Sequence, residues 1–290
     1  MGLDCGGSSC RALAVDSDGA VLHRGQSGAA NLASTPEAVL SGSLRKALRG
    51  CPDASYVCGC FAGLLTQEDR ERAEALLREN CPGAVVRAEP DYAAALTACP
   101  DRTDICVIAG TGSLICSRSG SGFAKSGGRG FVMGDYGSAF RYGREFLRYH
   151  LEERTLESIA DQLIEVFGIG DEAGVLAKLY RSGEVASKLA KLAYGFARAT
   201  QAGEPSALDF LREETVRLAQ QVVTHAERFL GDNREISICL AGGLWKISPI
   251  FEREFKGRLN EISGGRSILL NRIKRAPVEG AIILAKEMLL

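Results

Sequence analysis

Residues 104–117, DICVIAGTGSLICS, contain the turn on which the interpretation of the whole chain depends. An apolar run stops at residues 110–113, GTGS, and a second apolar run follows, which predicts a strand, a tight turn and a strand. The two glycines leave the backbone N–H groups open and permit positive φ, and the threonine adds a hydroxyl, so a phosphate would fit. The same residues also suit an ordinary hairpin, so a phosphate site needs further support.

A second turn of this kind lies near the start of the chain. Residues 2–4 lead into CGGSS at residues 5–9, after which an apolar run resumes. The repeat, about one domain length earlier, indicates a duplicated unit, and two such turns could hold one polyphosphate. Asp4 stands just before the first turn, where a carboxylate could hold a hydrated Mg²⁺ against the phosphates. The alternative interpretation is that Asp4 only stabilises the turn.

The composition narrows the function classes. The 290 residues suffice for two ordinary domains, and 46% hydrophobic with 24% charged residues is typical of a soluble globular protein. The 35 basic and 36 acidic residues are interspersed, so we predict neither a nucleic-acid surface nor a polybasic membrane surface. We see no signal segment and no apolar run near the ~20 residues that span a bilayer, so we expect a cytoplasmic protein that acts on small molecules.

Cysteine and histidine give no sign of a metal centre. The ten cysteines include no Cys-x-x-Cys pair. His23, His150 and His225 are far apart and lack metal-ligand spacing. We therefore expect buried, reduced thiols and histidines without zinc.

The periodicity of apolar residues predicts two successive α/β units. The first reads as three strands followed by helix, strand, helix, strand and helix up to residue 98. The pattern restarts at residue 104 with three short strands and a stretch, residues 127–138, that is too rich in glycine for a helix. A strand, a helix, a strand and a final helix over residues 278–290 end the chain. Between these parts, apolar spacing of three and four predicts helices over residues 139–153, 156–167, 185–200 and 207–230.

Six motifs, in this order, resemble one known family. They are LDCGGSSCR, the loop at residues 29–32, EPDYAAALTA, IAGTGS, GGRGFVMGDYGSAF, and LAGGLWK followed by PVEGAIILA. Nearly end to end, the chain resembles the N-acetylglucosamine kinase and BadF/BadG/BcrA/BcrD-type ATPase family of the sugar kinase, heat-shock chaperone and actin superfamily.

The resemblance implies an α/β fold of two duplicated RNase H-like, actin-like ATPase domains, with an active-site cleft between them and a second domain enlarged by helices. The first domain would comprise residues 1–100 completed by the C-terminal helix at residues 277–290. The second would comprise residues 101–276.

The resemblance also implies ATP-dependent phosphorylation of an amino sugar hydroxyl, with ATP and Mg²⁺ as cofactors. The acceptor would be N-acetylglucosamine, glucosamine or N-acetylmuramic acid. Asp91 would be the catalytic base, and Asn31, Arg129 and Asp135 would bind the sugar. Asp4 would hold Mg²⁺ through water. The nucleotide would contact Asp4, Gly6, Gly7, Ser8, Ser9, Gly110, Thr111, Gly112, Ser113, Gly242 and Gly243. From position alone, Asp91 could instead be a helix N-terminal aspartate, and Asn31 and Asp135 could be loop residues.

Two departures from the family pattern affect the predicted sugar pocket. Arg129 replaces the tryptophan of Gly-Gly-Trp-Gly, and Tyr136 replaces the glutamate of Gly-Asp-Glu-Gly-Ser. We therefore predict an altered acceptor, and the charge of Arg129 suggests an anionic one. The competing interpretation is that Arg129 points to solvent or pairs with a carboxylate such as Asp135.

Two other function classes occur among proteins with this pattern of motifs. BadF-type relatives include ATPases that use a cysteine-held iron–sulfur cluster to drive electrons into a dehydratase or reductase. The glycine-rich stretch at residues 127–138, where those relatives carry a cluster cysteine, has none. A sugar-sensing repressor would need a DNA-binding helix pair before the first strand, and there is no room for one ahead of Leu3. Formation of a homodimer is left open by the sequence.

Overall fold

The structure is a computed structural model and describes residues 1–120, 122–231 and 233–289. Contacts within the chain divide it into two units, Met1–Thr103 with Arg272–Leu290 and Asp104–Asn271. These limits lie a few residues from the boundaries that the sequence predicts.

The first unit contains a five-stranded sheet in the order β3-β2-β1-β4-β5. The strands are β1 (Gly2–Cys5), β2 (Cys10–Val15), β3 (Val21–Ser27), β4 (Tyr56–Phe61) and β5 (Val85–Pro90). The helices are α1 (Glu37–Ala47), α2 (Gln67–Asn80), α3 (Asp91–Thr97) and, near the end of the chain, α13 (Pro277–Glu287). Strands β1 to β3 pair antiparallel, whereas β4 runs parallel to both β1 and β5. The helix predicted to reach residue 290 ends at Glu287, and Leu290 lies outside the described residues.

Alternation along β2 gives this sheet two apolar faces. Ala12 and Ala14 belong to the core that includes α1 and α2, whereas Leu13 packs with Val278 and Ile282 of α13. Successive side chains of a strand point to opposite faces, so helices from distant parts of the sequence cover the two sides of one sheet.

The second unit repeats the arrangement of the first. Its sheet has the order β10-β9-β6-β7-β8, and β6 pairs antiparallel with β7 and parallel with β9, as β1 does with β2 and β4. The duplicated α/β fold that the two turns predict is thus confirmed. The strands are β6 (Ile105–Ala109), β7 (Ser113–Ser119), β8 (Gly122–Gly127), β9 (Glu235–Ala241) and β10 (Ser267–Arg272).

Helices enlarge the second unit. They are α4 (Gly130–Met133), α5 (Ala139–Glu152), α6 (Ala160–Phe167), α7 (Glu172–Arg181), α8 (Val185–Lys191), α9 (Ala193–Ala202), α10 (Pro205–Phe229), α11 (Leu244–Ile247) and α12 (Pro249–Ile262), with a 3-10 turn at Leu156–Ile159. Over the described ranges, no helix combines the length and the apolar character that crossing a bilayer requires.

Several of these helices differ from the prediction. The composition of the glycine-rich stretch predicts no helix, but the stretch contains the single turn α4, where Phe131 packs on Phe140 with ring centroids 5.0 Å apart. Helix α7 was not predicted, although Val175 and Leu179, four residues apart, are buried. The helix predicted over residues 185–200 is two helices, α8 and α9. They meet at Leu192, whose ψ of −8° departs from the helical value.

Aromatic packing fixes the helix that follows the glycine-rich stretch. Tyr142 of α5 lies 4.9 Å from Phe196 of α9 and 4.8 Å from Phe251 of α12, measured between ring centroids. Such aromatic pairs contribute about 0.5–1.5 kcal/mol each beyond their buried area. The N-terminus of α5, which contacts the GTGS turn, is therefore held by the core of the unit.

Candidate active site

The first Gly/Ser turn connects β1 to β2. Gly6 N donates to Ser9 O at 2.8 Å and closes the turn. Gly6 O accepts a hydrogen bond from Ala30 N at 2.9 Å, which attaches the turn to the loop after β3. Gly7 and Ser8 at the tip are exposed, so the backbone of the tip is accessible to a ligand.

Asp4 and Asp91 are brought together by this unit. Asp4 lies in β1, and Asp91 is the first residue of α3, directly after β5. Burial, followed by the negative charge of Asp91, raises the pKa of Asp4 from its usual 3.8 to about 6. The guanidinium of Arg11, which is paired with Asp4 across the β1–β2 hairpin, acts in the opposite direction. Two carboxylates that the sequence predicts separately therefore share one electrostatic environment.

Arg11 is a further charged residue of this site, absent from the residues predicted above, and the register of the turn indicates it. The turn pairs Cys5 with Cys10, and this register places Asp4 opposite Arg11. Residues directly opposite on antiparallel strands have Cβ atoms about 5 Å apart, so an acidic and a basic residue in this register interact.

Asp91 lies at a junction that hydrogen bonds and ion pairs hold in place. Its Oδ1 accepts a hydrogen bond from Tyr92 N at 2.9 Å, which orients the carboxyl group at the start of α3. Glu89, two residues earlier, is 6% exposed and forms ion pairs with Arg87 at 2.5 Å and Arg70 at 3.3 Å. A carboxylate at a helix N-terminus is also stabilised by the helix itself. Asp91 is thus bonded as a helix N-terminal aspartate, and this bonding is compatible with a catalytic role.

Asn31 is largely engaged by its own loop. Its Oδ1 accepts hydrogen bonds from Ala33 N at 2.8 Å and Ser34 N at 3.1 Å, and its backbone N donates to Thr35 Oγ1 at 3.0 Å. The loop interpretation therefore accounts for Oδ1. The Nδ2 group is the part of Asn31 that could bind a sugar hydroxyl.

The second turn, residues 110–113, is held by the N-terminus of α5. Ala139 N donates to Gly110 O at 2.8 Å, and Phe140 N donates to Thr111 O at 3.3 Å. The first N–H groups of a helix have no partner within the helix, and α5 uses two of them to bind the carbonyl groups of the turn. The shape of the turn is thus fixed from its carbonyl side.

Asp135 lies against this second turn. It is 7% exposed and has a φ of +59°, which is unusual for a residue other than glycine. Burial raises the pKa of Asp135, and a hydrogen bond from Ser113 N opposes the shift. The side chain that the sequence assigns to the sugar is therefore in contact with the predicted phosphate turn, and its contact with a sugar stays a prediction.

The two glycines of the second turn differ in the space that surrounds them. The expectation that they use positive φ is wrong, because neither Gly110 nor Gly112 adopts it. A Cβ on Gly112 would lie 2.5 Å from Asp135 Oδ2, whereas a Cβ on Gly110 would have Gly243 N, at 3.8 Å, as its nearest neighbour. Gly242, in the neighbouring turn, does adopt a positive φ, of +101°. The Gly242–Gly243 turn, predicted to contact adenosine, thus adjoins the phosphate turn.

The two residues that depart from the family pattern lie before and after Asp135 in the sequence. Arg129 is exposed at the N-cap of α4. The described contacts of Asp135 are with the turn, so exposure to solvent describes Arg129 better than a pair with Asp135. Two cations lie near the Tyr136 ring, with the guanidinium carbons of Arg141 and Arg217 each 5.3 Å from its centroid.

We expect Asp4→Asn to stabilise the protein without ligand, because the folded state disfavours the charged form of Asp4. With a folded pKa of about 6 and an ordinary value of 3.8, the penalty is complete above about pH 6 and disappears below about pH 4. The gain in the free energy of unfolding should approach about 3 kcal/mol near pH 8. Urea denaturation of both proteins across this pH range measures the gain. A gain that does not depend on pH would contradict the environment assigned to Asp4.

Comparison with known protein families identifies the family to which the chain belongs. The BadF/BadG/BcrA/BcrD ATPase family matches residues 1–285, and the chain belongs to this family. The match agrees with a fold in which each of two α/β units carries a glycine-containing turn with a carboxylate beside it.

Individual relatives are similar over nearly their full length. The chain is 25% identical to the N-acetylmuramic acid/N-acetylglucosamine kinase of Clostridium acetobutylicum, over 99% of this chain and 97% of that one. It resembles the crystal structure of a protein from Porphyromonas gingivalis proposed to be an N-acetylglucosamine kinase, with a TM-score of 0.77, 18% identity and 99% of each chain covered. It also resembles a ROK family glucokinase from Streptomyces griseus solved with glucose and AMPPNP, with a TM-score of 0.63, 16% identity and coverage of 99% and 98%. These likenesses confirm the predicted fold class.

Proposed function

We propose that the protein is an ATP-dependent kinase that phosphorylates a hydroxyl group of an amino sugar. The observation that carries the proposal is that Asp91, at the β5–α3 junction, lies near enough to Asp4, beside the first glycine turn, for its charge to raise the pKa of Asp4. Membership of an ATPase family and full-length similarity to a protein named as an amino sugar kinase support the same reaction.

Asp91 would accept the proton of the attacking hydroxyl. Phosphoryl transfer has a loose transition state, so a kinase acts mainly by placing the reactants and by neutralising charge. The bond from Tyr92 N and the ion pairs of Glu89 keep the junction that carries Asp91 in place. Such a fixed carboxylate suits a general base, which contributes typically about 10²–10⁴-fold to the rate.

The two turns would bind the phosphates of ATP through backbone N–H groups. Residues 7–9 of the first turn and residues 111–112 of the second would supply these groups, with hydroxyls from Ser8, Ser9 and Thr111. The backbone N–H groups of Gly6, Gly110 and Ser113 already donate within the chain and hold the turns in shape. The Gly242–Gly243 turn would contact the adenosine, since Gly243 lies beside Gly110.

The carboxylates beside the turns fit a hydrated Mg²⁺ that arrives with the nucleotide. Mg²⁺ in such sites is held by one or two carboxylates and completed by water and phosphate oxygens. Asp4, with a pKa of about 6, is ionised at neutral pH and could take this role. Among the described residues, no group of three or more His, Cys, Asp or Glu side chains could hold a metal. When bound, Mg²⁺ would supply positive charge to the phosphates.

The acceptor would be N-acetylglucosamine, which is neutral, or a close relative that carries a negative charge. Asn31, through Nδ2, and Asp135 would offer polar groups to sugar hydroxyls. The exposed guanidinium of Arg129 could bind a carboxylate such as the lactyl group of N-acetylmuramic acid. A relative whose name includes both N-acetylmuramic acid and N-acetylglucosamine agrees with this range of acceptors.

We expect Arg129→Trp to shift the preference from N-acetylmuramic acid to N-acetylglucosamine. The guanidinium would be lost, and a charge-assisted hydrogen bond is equivalent to about tenfold to a hundredfold in affinity. The ratio of kcat/KM for the two sugars measures the shift. As a control, Arg212→Trp changes an exposed arginine of α10 and should leave the ratio unaltered. An equal change for both sugars in Arg129→Trp would leave Arg129 with a structural role only.

A screen of acceptors tests the proposed reaction. ADP release is followed with N-acetylglucosamine, N-acetylmuramic acid, glucosamine and glucose, and without a sugar. Amino sugars should stimulate ADP release, with N-acetylmuramic acid or N-acetylglucosamine first in rank. ATP turnover that no sugar stimulates, together with a brown colour after anaerobic purification, would favour the iron–sulfur ATPase class instead.

A further inference from the structure

We infer that Glu214 of α10 is a positioning residue for the second phosphate turn, residues 110–113. This inference rests on the proposed nucleotide role of that turn. Glu214 stands in a long amphipathic helix without any glycine motif, and its side chain is fully buried. A carboxylate on the buried side of such a helix needs an explanation in terms of its partners.

Both oxygens of Glu214 are engaged by groups around the start of α5. Oε2 accepts hydrogen bonds from Gly137 N at 2.9 Å and Arg141 Nε at 3.0 Å. Oε1 accepts a hydrogen bond from Arg141 Nη2 at 2.5 Å. A buried ion pair contributes little to stability compared with apolar packing, but removing one partner leaves an unpaired buried charge. The two-pronged contact therefore fixes α10 relative to the segment before α5.

The segment that Glu214 holds has an unfavourable backbone conformation. Asp135 has a φ of +59°, and Gly137 has a φ of +68°. A residue other than glycine in this region costs on the order of 1 kcal/mol and keeps the conformation only where its surroundings impose it. The hydrogen bond from Gly137 N to Glu214 is one such constraint, two residues from Asp135.

The same segment determines the shape of the phosphate turn. Ser113 donates to it twice, from N to the Asp135 carboxylate and from Oγ to Tyr136 O at 2.7 Å. The carboxylate of Asp135 also lies against Gly112. The first N–H groups of α5 bind the carbonyl groups of the turn, as described above. A displacement of the segment would therefore move the N–H groups that are proposed to bind phosphate.

The negative charge of Glu214 also balances two arginines that lie over the Tyr136 ring. The guanidinium groups of Arg141 and Arg217 both lie over the Tyr136 ring, and Arg217 Nη1 is 3.9 Å from Glu214 Oε1. With a neutral residue at position 214, two nearby cations would lose their shared buried counter-charge. Repulsion between them would act directly on the segment that contacts the turn.

The test compares Glu214→Gln with Glu213→Gln. The control changes the neighbouring exposed glutamate, which pairs with Arg217 at 2.5 Å. We expect Glu214→Gln to raise the Kd for ATP and ADP, measured by calorimetry, by about tenfold or more, because the N–H groups of the turn would be displaced from the phosphates. The control should stay within about twofold for both nucleotides. Amide hydrogen exchange at residues 110–113 should accelerate in Glu214→Gln only.

Wild-type ATP affinity and unchanged exchange at residues 110–113 in a folded Glu214→Gln protein would overturn the inference. If that variant does not fold, Arg141→Lys keeps the positive charge but loses the forked contact, and the same expectations apply to it. A wild-type protein that binds no nucleotide would instead refute the proposed function. In that case the exchange measurement alone decides the positioning role of Glu214.

Discussion

Asp91→Asn is expected to reduce sugar phosphorylation by about 10²–10⁴-fold while the Kd for ATP stays within about twofold. The amide cannot take the proton of the acceptor hydroxyl, whereas nucleotide binding is proposed to use the backbone of the two turns. Steady-state kinetics with saturating ATP, together with calorimetric titration of ATP, separate these effects. The loss should therefore be in kcat.

A matched variant tests whether Asp91 acts only as a helix N-terminal carboxylate. Glu68 is likewise an acidic residue in the first turn of a helix, α2. Glu68→Gln should change stability by a few tenths of a kcal/mol and leave turnover unaltered. If Asp91→Asn behaves like Glu68→Gln, with near-normal turnover, Asp91 has no part in the reaction.

Gly110→Val is expected to weaken ATP binding by about a hundredfold or more in a protein that remains folded, a loss of about 3 kcal/mol. The nearest atom to a Cβ at Gly110 is Gly243 N at 3.8 Å, so the chain itself has room for it. A phosphate that approaches the backbone of the turn does not have that room. Calorimetric ATP titration and thermal unfolding of the same samples measure both properties.

A series of side-chain sizes sharpens this test. Gly110→Ala should bind ATP with an affinity between those of the wild type and Gly110→Val, because the loss is steric. Gly112→Val should in addition destabilise the fold, since a Cβ there would meet Asp135 Oδ2 at 2.5 Å. Unchanged ATP affinity in a folded Gly110→Val protein would mean that the turn is only structural.

The fold could be predicted because its signals are local. The GTGS turn between two apolar runs and its N-terminal counterpart depend on glycine geometry and strand periodicity, which short windows of sequence contain. The β1–β4 and β6–β9 pairs then give both units the same sheet order. Boundaries inside the helical insertion were less predictable. The junction at Leu192 and the single turn α4 depend on packing between elements, including the contact of Phe131 with Phe140.

The sequence could predict those residues of the candidate site that stand beside a recognisable turn or strand end. Asp4 and Asp91 each lie next to a strand end, but their mutual influence becomes visible only in the folded unit. Glu214 had no signal at all, because its partners are Gly137 and Arg141, more than seventy residues earlier in the chain. Contacts at such separation depend on the packing of α10, which periodicity does not specify.

The most direct test of the kinase proposal is the fate of the terminal phosphate of ATP. The protein is incubated with Mg²⁺, γ-labelled ATP and either N-acetylglucosamine or N-acetylmuramic acid, and the products are identified by mass spectrometry. The account predicts a labelled sugar phosphate in equal amount to the ADP formed, and almost none with Asp91→Asn. Labelled inorganic phosphate without sugar phosphate, formed at the same rate with and without each sugar, would contradict it.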